Sequence, residues 1–183
     1  MSKVRDYLVL TGIAGAVVAL DQWTKYLVRT KLELGETWSP FEWLAPHARI
    51  VHWNNTGAAF GMFPSGSLIF TIIAVIVIVA IVYYWPRVPG AEVALRLALA
   101  LQLGGAIGNL ISRLTVGTVT DFISVGKFPV FNIADTSISV GVAVLVVGML
   151  IQERRERKAA AEREAASTDD AEEEAPEAEQ SVG

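Results

Sequence analysis

The chain has 183 residues, of which 52% are hydrophobic and none is cysteine, and its formal net charge is −4 at pH 7. The lack of cysteine excludes disulfides, thiolate nucleophiles and cysteine-ligated metals, and the apolar composition is unusual for a soluble domain. Residues 1–152 carry 10 Lys and Arg against 8 Asp and Glu, whereas residues 153–183 carry 5 against 11. The negative charge therefore belongs to the C-terminal tail.

Four apolar stretches approach the length of about 20 residues that a helix needs to cross a membrane. They lie at residues 7–28, 68–85, 93–111 and 131–151. The first has an alternative as a cleaved signal peptide, because Val17-Val18-Ala19 resembles a cleavage site. We favour a retained helix, since the polar residues that follow Ala19 have a use within the protein. The sequence thus predicts a mainly α integral membrane protein with four transmembrane helices.

Basic residues near the helix ends predict that both termini are cytoplasmic, because a cluster at residues 154–158 directly follows the last stretch. Segments 29–67 and 112–130 then lie outside. Alternation at residues 49–53 and the Val/Thr-rich run at 115–120 predict short strands, and hence a small extracytoplasmic β-rich layer. Tryptophans are expected at the membrane interfaces: Trp38, Trp43 and Trp53 on the outer side and Trp85 on the inner side.

The chain divides into a four-helix membrane domain at residues 1–152 and a charged cytoplasmic tail at 153–183. We expect residues 154–166 to extend the last helix and the remainder to be disordered, because it is acidic and poor in large apolar side chains. No chemistry is assigned to the tail.

Asp121 and Asp135 lie in apolar sequence only 14 residues apart, although a carboxylate near the bilayer centre costs about 2.5–3.5 kcal/mol on insertion scales. Each alone has a structural explanation, Asp135 as a helix N-cap and Asp121 as a turn residue. However, residues 136–151 form only about 24 Å of helix, which is short of a core about 30 Å thick. Including residues 131–134 places Asp135 about one turn inside the apolar segment. The segments that carry Asp121 and Asp135 return to the same membrane face, so one polar site is expected.

Further polar residues accompany the apolar stretches. Asn109 and Arg113 share a helical face and form either a set of donors for carboxylates or a peptide carbonyl, or an interfacial pair. Gly104 and Gly108 predict a close helix–helix contact. Asp21 and Lys25 are spaced for an ion pair, which serves either the structure alone or the positioning of backbone or a lipid headgroup.

Two other kinds of site are disfavoured. His47 and His52 have no cysteine or carboxylate cluster nearby, so a metal site is not expected. Ser124 and Lys127 are spaced for a Ser-Lys mechanism, but nothing in the sequence keeps that lysine dry and neutral. Residues 54–61 form a turn-rich run of small residues suited to lining a groove for an extended peptide.

Five ordered motifs over about residues 8–152 resemble bacterial lipoprotein signal peptidase, or signal peptidase II, a family of membrane aspartic peptidases. The motifs are DQWTK at 21–25, NNTGAAFG at 54–61, GGAIGNLISR at 104–113, VTDFI at 119–123 and FNIAD at 131–135. The resemblance implies a multi-pass enzyme of the bacterial cytoplasmic (inner) membrane. It also implies that a membrane peptidase domain at 1–152 removes signal peptides from diacylglyceryl-modified prolipoproteins, cutting just before the lipidated lipobox Cys.

By the same resemblance, Asp121 and Asp135 are the catalytic pair, and the family requires no cofactor or metal. The supporting positions that it implies are Asp21, Lys25, Asn54, Gly108, Asn109, Arg113, Asn132 and Ala134. The implied partners are the lipidated prolipoprotein and membrane phospholipid, with inhibition by globomycin-type cyclic peptides and no nucleic acid. Ser112 stands where many members carry Asp, which suggests that a hydroxyl supplies the partner there. Spacing and polarity alone leave open an ion-conducting membrane protein or a non-enzymatic helical scaffold.

Overall fold

The computed structural model describes residues 3–56 and 66–179 of the chain. Its helices are α1 (Lys3–Lys31), α2 (Gly66–Tyr84), α3 (Val93–Val116) and α4 (Ile133–Glu179), and its strands are β1 (Thr37–Trp38), β2 (Ala48–Asn55) and β3 (Val119–Val125). A short 3-10 helix, Trp85–Arg87, follows α2. The chain divides into one unit that ends at Leu145 and a second that begins at Val146.

Three helices within the described residues are long and apolar enough to cross a membrane: Ser67–Arg87, Val93–Val116 and Ile133–Ala160. Large apolar side chains of α2, including Ile69, Ile76 and Val79, are exposed, as expected where lipid surrounds a protein. The chain is therefore a multi-pass membrane protein with a mainly helical fold. Helix α1 has 29 residues, about 43 Å of helix, and its membrane span stays a prediction.

Helix α3 packs closely against α1 and α4 through glycines. A Cβ at Gly104 would lie 2.7 Å from the Cβ of Val17, and one at Gly108 would lie 2.7 Å from Asp21 Oδ2. On the opposite side, a Cβ at Gly105 would lie 2.7 Å from Ser137 Oγ of α4. The predicted close helix contact at Gly104 and Gly108 is thus confirmed, because only a bare backbone permits these approaches.

At one end of the helices, Trp85 is 1% exposed and donates its Nε1–H to the carbonyl oxygen of Asp6 at 3.1 Å. The guanidinium of Arg96 stacks 4.4 Å from the Trp85 ring and lies 2.9 Å from Asp6 Oδ1. These two partners bury the Trp85 ring within the protein, so it does not face lipid, and its level at the inner membrane interface stays a prediction. The beginnings of α1 and α3 therefore meet the end of α2, so α1 and α3 run in the same direction.

The strands form one antiparallel sheet in the order β1-β2-β3, so the prediction of a small β layer is confirmed. Trp53 of β2 pairs with Asp121 of β3, and the register shifts between Ile50 and Trp53. Such irregularities re-aim side chains and are common beside functional sites. Phe131 bridges to Ile123 and ties the segment before α4 to this sheet.

The strand predicted at residues 115–120 is wrong in its first half, because Thr115 and Val116 belong to α3. Gly117 ends that helix with φ 84°, and its N–H bonds to the carbonyl oxygen of Arg113. Glycine favours this left-handed conformation at a helix end. Strand β3 begins two residues later, at Val119, and carries Asp121.

In the second unit α4 continues to Glu179, beyond the helix end predicted at residue 166. Ion pairs between residues four apart lie along this helix, with Arg157 2.7 Å from Glu153 and Lys158 3.7 Å from Glu162. Alanine, glutamate and arginine have high helix propensity, which explains the extension, whereas the exposed ion pairs add little. The division into a membrane domain at 1–152 and a separate tail stays a prediction.

Candidate active site

A buried ion pair lies beside the two aspartates. Lys25 Nζ is 2.8 Å from Asp21 Oδ2, and both side chains are fully buried, so the predicted pair is confirmed. The second oxygen, Asp21 Oδ1, accepts the backbone N–H of Ala134 at 3.0 Å. Asp21 therefore ties α1 to the first turn of α4, and Ala134 contributes a backbone donor.

Lys25 also donates to Oδ1 of Asn109 at 2.9 Å. The Nδ2 of Asn109 in turn donates to Asp135 Oδ1 at 2.7 Å. Because an ammonium group only donates, the oxygen of the Asn109 amide must face Lys25, and its NH2 group must face Asp135. The orientation of this amide is thus fixed by chemistry.

Asn132 and Asp135 form a reciprocal cap at the start of α4. The backbone N–H of Asp135 donates to Asn132 Oδ1 at 3.0 Å, and the N–H of Asn132 donates to Asp135 Oδ2 at 3.2 Å. This is the arrangement of a capping box, with Asn132 as the N-cap and an acidic residue three positions later. The alternative that Asp135 is itself the N-cap is wrong, and its carboxylate is held at the positive end of the helix dipole.

Asn132 also joins the two aspartates. Its Nδ2 donates to Asp121 Oδ1 at 2.6 Å and to Asn109 Oδ1 at 3.2 Å. Asp121 comes from β3 and Asp135 from α4, yet both carboxyls bond to this one residue. The structure therefore brings the two carboxyls that the sequence singled out into one hydrogen-bonded cluster.

The second donor to Asp121 is Asn55, which sequence reasoning missed. Asn55 Nδ2 donates to Asp121 Oδ2 at 2.8 Å, whereas Asn54, the expected supporting residue, is exposed. Neighbouring residues of a strand point to opposite faces, so only one of the two asparagines can reach the carboxyl. Choosing between them requires the register of β2 against β3, which the sequence does not provide.

Gly108 and Ser112 complete the support from α3. The carbonyl oxygen of Gly108 accepts from Gln22 Nε2 at 2.8 Å and from Ser112 Oγ at 3.2 Å. Gln22 Nε2 also lies 2.9 Å from Asp21 Oδ2 and 3.4 Å from Ser112 Oγ. The Ser112 hydroxyl thus contacts Gln22 and the Gly108 carbonyl, and it is Gln22, which sequence reasoning missed, that bonds to Asp21. The suggestion that the hydroxyl replaces the family's usual Asp stays a prediction.

A cavity of about 480 Å³ opens beside these groups, between α2, α3 and α4. Its polar end holds Asn55, Asn109, Arg113 and Asp135, and its apolar wall on α2 holds Phe70, Ile73, Ala74 and Val77. The guanidinium of Arg113 lies 5.7 Å from the Phe70 ring centroid. Its Nε is buried with no hydrogen-bond partner among residues 3–56 and 66–179. Arg113 thus lines the cavity and carries a buried donor that is unpaired within the described residues.

Burial, together with the negative charge of Asp135, raises the pKa of Asp121 to about 6. The hydrogen bonds from Asn55 and Asn132 and the positive charge of Lys25 act in the opposite direction on the same pKa. A carboxyl pKa raised in this way suits a group that works in acid–base catalysis.

The remaining candidates lie apart from this cluster. The His52 ring is 3.0 Å from the Leu32 carbonyl oxygen, and Ser124 lies on β3 with its partner Arg49 on β2. Among the described residues, no group of three or more His, Asp or Glu is placed to hold a metal ion. Most of the small-residue run, residues 57–61, lies outside the described residues.

Two carboxyls with matched donors beside a cavity in a membrane protein are an arrangement suited to acid–base chemistry. The family model for signal peptidase II matches residues 13–151. The lipoprotein signal peptidase of Halalkalibacterium halodurans is 40% identical over 153 residues, covering 80% of this chain and 94% of that protein. That of Mesorhizobium japonicum is 43% identical over 146 residues, covering 77% and 84%.

The lipoprotein signal peptidase of Staphylococcus aureus is 35% identical over 152 residues, covering 80% of this chain and 91% of that protein. A bacterial membrane enzyme solved by the in meso method at 2.3 Å superposes with a TM-score of 0.72 at 32% identity, covering 79% of this chain and 89% of that one. This chain therefore belongs to the signal peptidase II family and is a peptidase, which sets aside the ion-conducting and scaffold alternatives.

Proposed function

We propose that this chain removes signal peptides from prolipoproteins whose lipobox Cys carries diacylglycerol, cutting just before that Cys, with Asp121 and Asp135 as the catalytic pair. The observation that carries the proposal is that both carboxyls bond to Asn132 and that one of them, Asp135, lines the polar end of the adjoining cavity. The names of the relatives supply the class of substrate, and the lipid on the Cys follows from the family resemblance.

The chemistry follows from the coupling of the two carboxyls. Two buried carboxyls in one cluster do not both ionise readily, so one keeps a proton. The ionised partner takes a proton from water, which attacks the scissile carbonyl carbon, while the protonated partner donates its proton to the carbonyl oxygen. As the C–N bond breaks, the carboxyl that took the proton from water donates it to the leaving amine, and the hydroxyl proton of the intermediate returns to the other carboxyl when the carbonyl re-forms. Arg113 has donors that can hold a neighbouring carbonyl. The pair titrates as a unit, so the proton belongs to both.

The supporting residues position the pair. Asn132 and Asn109 direct amide donors to the carboxyls, and both amides depend on the buried Lys25 and Asp21 behind them. Gly108 provides the close approach that places Asp21, and Ala134 provides its backbone donor. We assign the contact with Asp121 to Asn55, in place of Asn54.

We further propose that α1 is the fourth span, in the cytoplasmic membrane of a bacterium, with both termini in the cytoplasm and the sheet outside. The parallel course of α1 and α3 supports this arrangement, as does the basic cluster at residues 154–158. Membrane phospholipid then surrounds the site. Globomycin-type cyclic peptides are expected to compete with the substrate, as the family resemblance implies.

The test uses purified protein and two precursors of one sequence, with and without diacylglycerol on the lipobox Cys. We expect mass spectrometry to find the signal peptide and a mature chain that begins with the lipidated Cys, and only from the lipidated precursor. An intact lipidated precursor, or cleavage at any other bond, would overturn the proposal. Equal cleavage of both precursors would overturn the requirement for lipid.

A further inference from the structure

Gln102 is a polar residue of the cavity wall that the catalytic chemistry does not use. It lies on α3 seven residues before Asn109, which is about 10.5 Å along a helix, and it lines the same cavity. Its neighbours there include Val77 of α2 and Ile138 of α4, which are apolar. Within residues 3–56 and 66–179, nothing forms a hydrogen bond with its side-chain amide.

The amide of Gln102 lies in a membrane-crossing helix. An unpaired polar group is costly in an apolar medium, and polar side chains in such segments commonly face a cavity and mark the path of a ligand. Packing alone would not need an amide at this position, because an apolar side chain would fill the same space between the apolar walls. The position of Gln102 therefore indicates a ligand with polar groups two helical turns below the aspartates.

The backbone of α4 holds the stem of Gln102 in place. A Cβ at Gly141 would lie 3.0 Å from Gln102 Cγ and 2.9 Å from the carbonyl oxygen of Ala98. The side chain therefore packs over a bare stretch of α4, which limits its rotamers. Its amide remains free to bond within the cavity that it lines.

We propose that Gln102 binds the main chain of the signal peptide about three residues before the scissile bond, an assignment that rests on the proposed function. An extended chain rises about 3.3–3.6 Å per residue, so three residues cover the distance from the level of Asn109. The substrate is extended where it reaches the aspartates, and its N–H and C=O groups lack helical partners in an apolar cavity. A glutamine amide both donates and accepts, so it satisfies one peptide unit, whereas an acyl ester offers only an acceptor.

The experiment compares three precursors of one sequence, all with a lipidated Cys. The first is unmodified, and the second replaces the peptide bond between the third and fourth residues before the Cys by an ester, which removes the N–H. The third carries ether-linked alkyl chains, which lack ester carbonyls. Wild type, Gln102→Leu and Gln102→Met are assayed beside Gln152→Leu, a control that removes an exposed amide bonded to Glu156 of α4.

We expect the backbone ester to lower wild-type kcat/KM about tenfold, as the loss of one buried hydrogen bond does. Gln102→Leu and Gln102→Met should be about tenfold slower on the unmodified precursor and lose nothing more on the backbone ester. Gln152→Leu should behave as wild type. Each variant is compared with itself across the precursors. A variant that is slow only because its fold is damaged would still cleave the backbone ester about tenfold more slowly than the unmodified precursor, and that result would overturn the assignment.

Two further outcomes would also overturn it. Cleavage of the unmodified precursor by Gln102→Leu at the wild-type rate would show that the amide binds no substrate. A defect that disappears only with the ether-linked precursor would assign Gln102 to the acyl ester. If wild type cleaves no precursor, the proposed function itself fails, which is distinct from cleavage without dependence on Gln102.

Discussion

Lys25 donates a hydrogen bond to the side-chain oxygen of Asn109 at 2.9 Å, and Asn109 turns its NH2 group to Asp135 at 2.7 Å. A buried cation thus determines which end of an amide faces a proposed catalytic carboxyl. The ion pair of Lys25 with Asp21 therefore connects the packing of α1 against α3 to the geometry of the site.

Lys25→Met should lose both stability and activity. It leaves the fully buried Asp21 without its ion-pair partner, which costs about 3–5 kcal/mol in comparable buried pairs, and it frees the Asn109 amide to turn. We expect at least about a hundredfold lower cleavage rate, in line with the loss of a positioned acid–base group. Thermal unfolding in detergent and initial rates of cleavage measure the two effects.

The matched control is the double variant Asp21→Asn/Lys25→Met, which removes both charges. It should recover much of the lost stability while remaining slow, because Asn109 still lacks its ammonium partner. Full recovery of the rate in the double variant would contradict a positioning role for Lys25.

Activity should decline as the pH rises through the pKa of the carboxyl pair, because the mechanism needs one proton on it. Burial and the charge of Asp135 raise the pKa of Asp121, and the hydrogen bond from Asn55 lowers it, with a net value of about 6. Asn55→Leu removes a bond that favours the ionised form, so the alkaline limb of the pH–rate profile should move to higher pH. The profile of kcat/KM between pH 4 and 9 measures this shift.

Asn54→Leu is the control for that experiment, since Asn54 is exposed in the same strand. Its profile should coincide with that of wild type, with a rate changed less than about twofold, as for most exposed substitutions. A shift caused by Asn54→Leu and not by Asn55→Leu would contradict the register of β2 against β3.

Gly108→Ala should impair catalysis through Asp21. The added Cβ would lie 2.7 Å from Asp21 Oδ2 and 3.4 Å from the Ala134 Cβ, and overpacking of this kind costs about 1–3 kcal/mol. We expect the cleavage rate to fall more than about tenfold, since the displaced carboxylate also holds α4. Gly15→Ala on α1 meets nothing within 4 Å and should be neutral or slightly stabilising.

Arg96→Met should separate stability from catalysis. Arg96 pairs with Asp6 and stacks on Trp85 near the beginning of α3, about 20 Å from Asn109 by helical rise. We expect a loss of about 2–4 kcal/mol, less than the roughly 3–5 kcal/mol of a fully buried pair that loses one partner, because the Asp6 side chain is 24% exposed. The kcat/KM should be unchanged below the melting transition. Arg87→Met, which removes an exposed arginine stacked on Tyr83, should leave both unchanged. A change in kcat/KM for Arg96→Met would contradict the separation.

The sequence predicted those features that depend on local spacing. Asp21 and Lys25 pair because i, i+4 residues share a helix face, and Gly104 and Gly108 mark a close contact for the same reason. Asp135 lies in the first turn of α4, and its depth in the membrane, which rests on the length of the last apolar stretch, stays a prediction.

Features that depend on tertiary contacts could not be predicted. The choice of Asn55 over Asn54 follows from the register of β2 against β3. The burial of Trp85 follows from its contacts with Asp6, which is distant in the sequence, and with Arg96, which lies on the next helix. Gln22 looked like an ordinary polar residue, because its acceptors on Gly108 and Ser112 come from another helix.

The most direct test of the central claim is the initial rate at which purified wild type, Asp121→Asn and Asp135→Asn cleave a diacylated lipobox precursor. Removing either carboxyl from a coupled acid–base pair should reduce the rate by at least about 10³-fold, while both variants insert into the membrane as wild type does. Near-normal turnover by either variant would contradict the assignment of Asp121 and Asp135 as the catalytic pair.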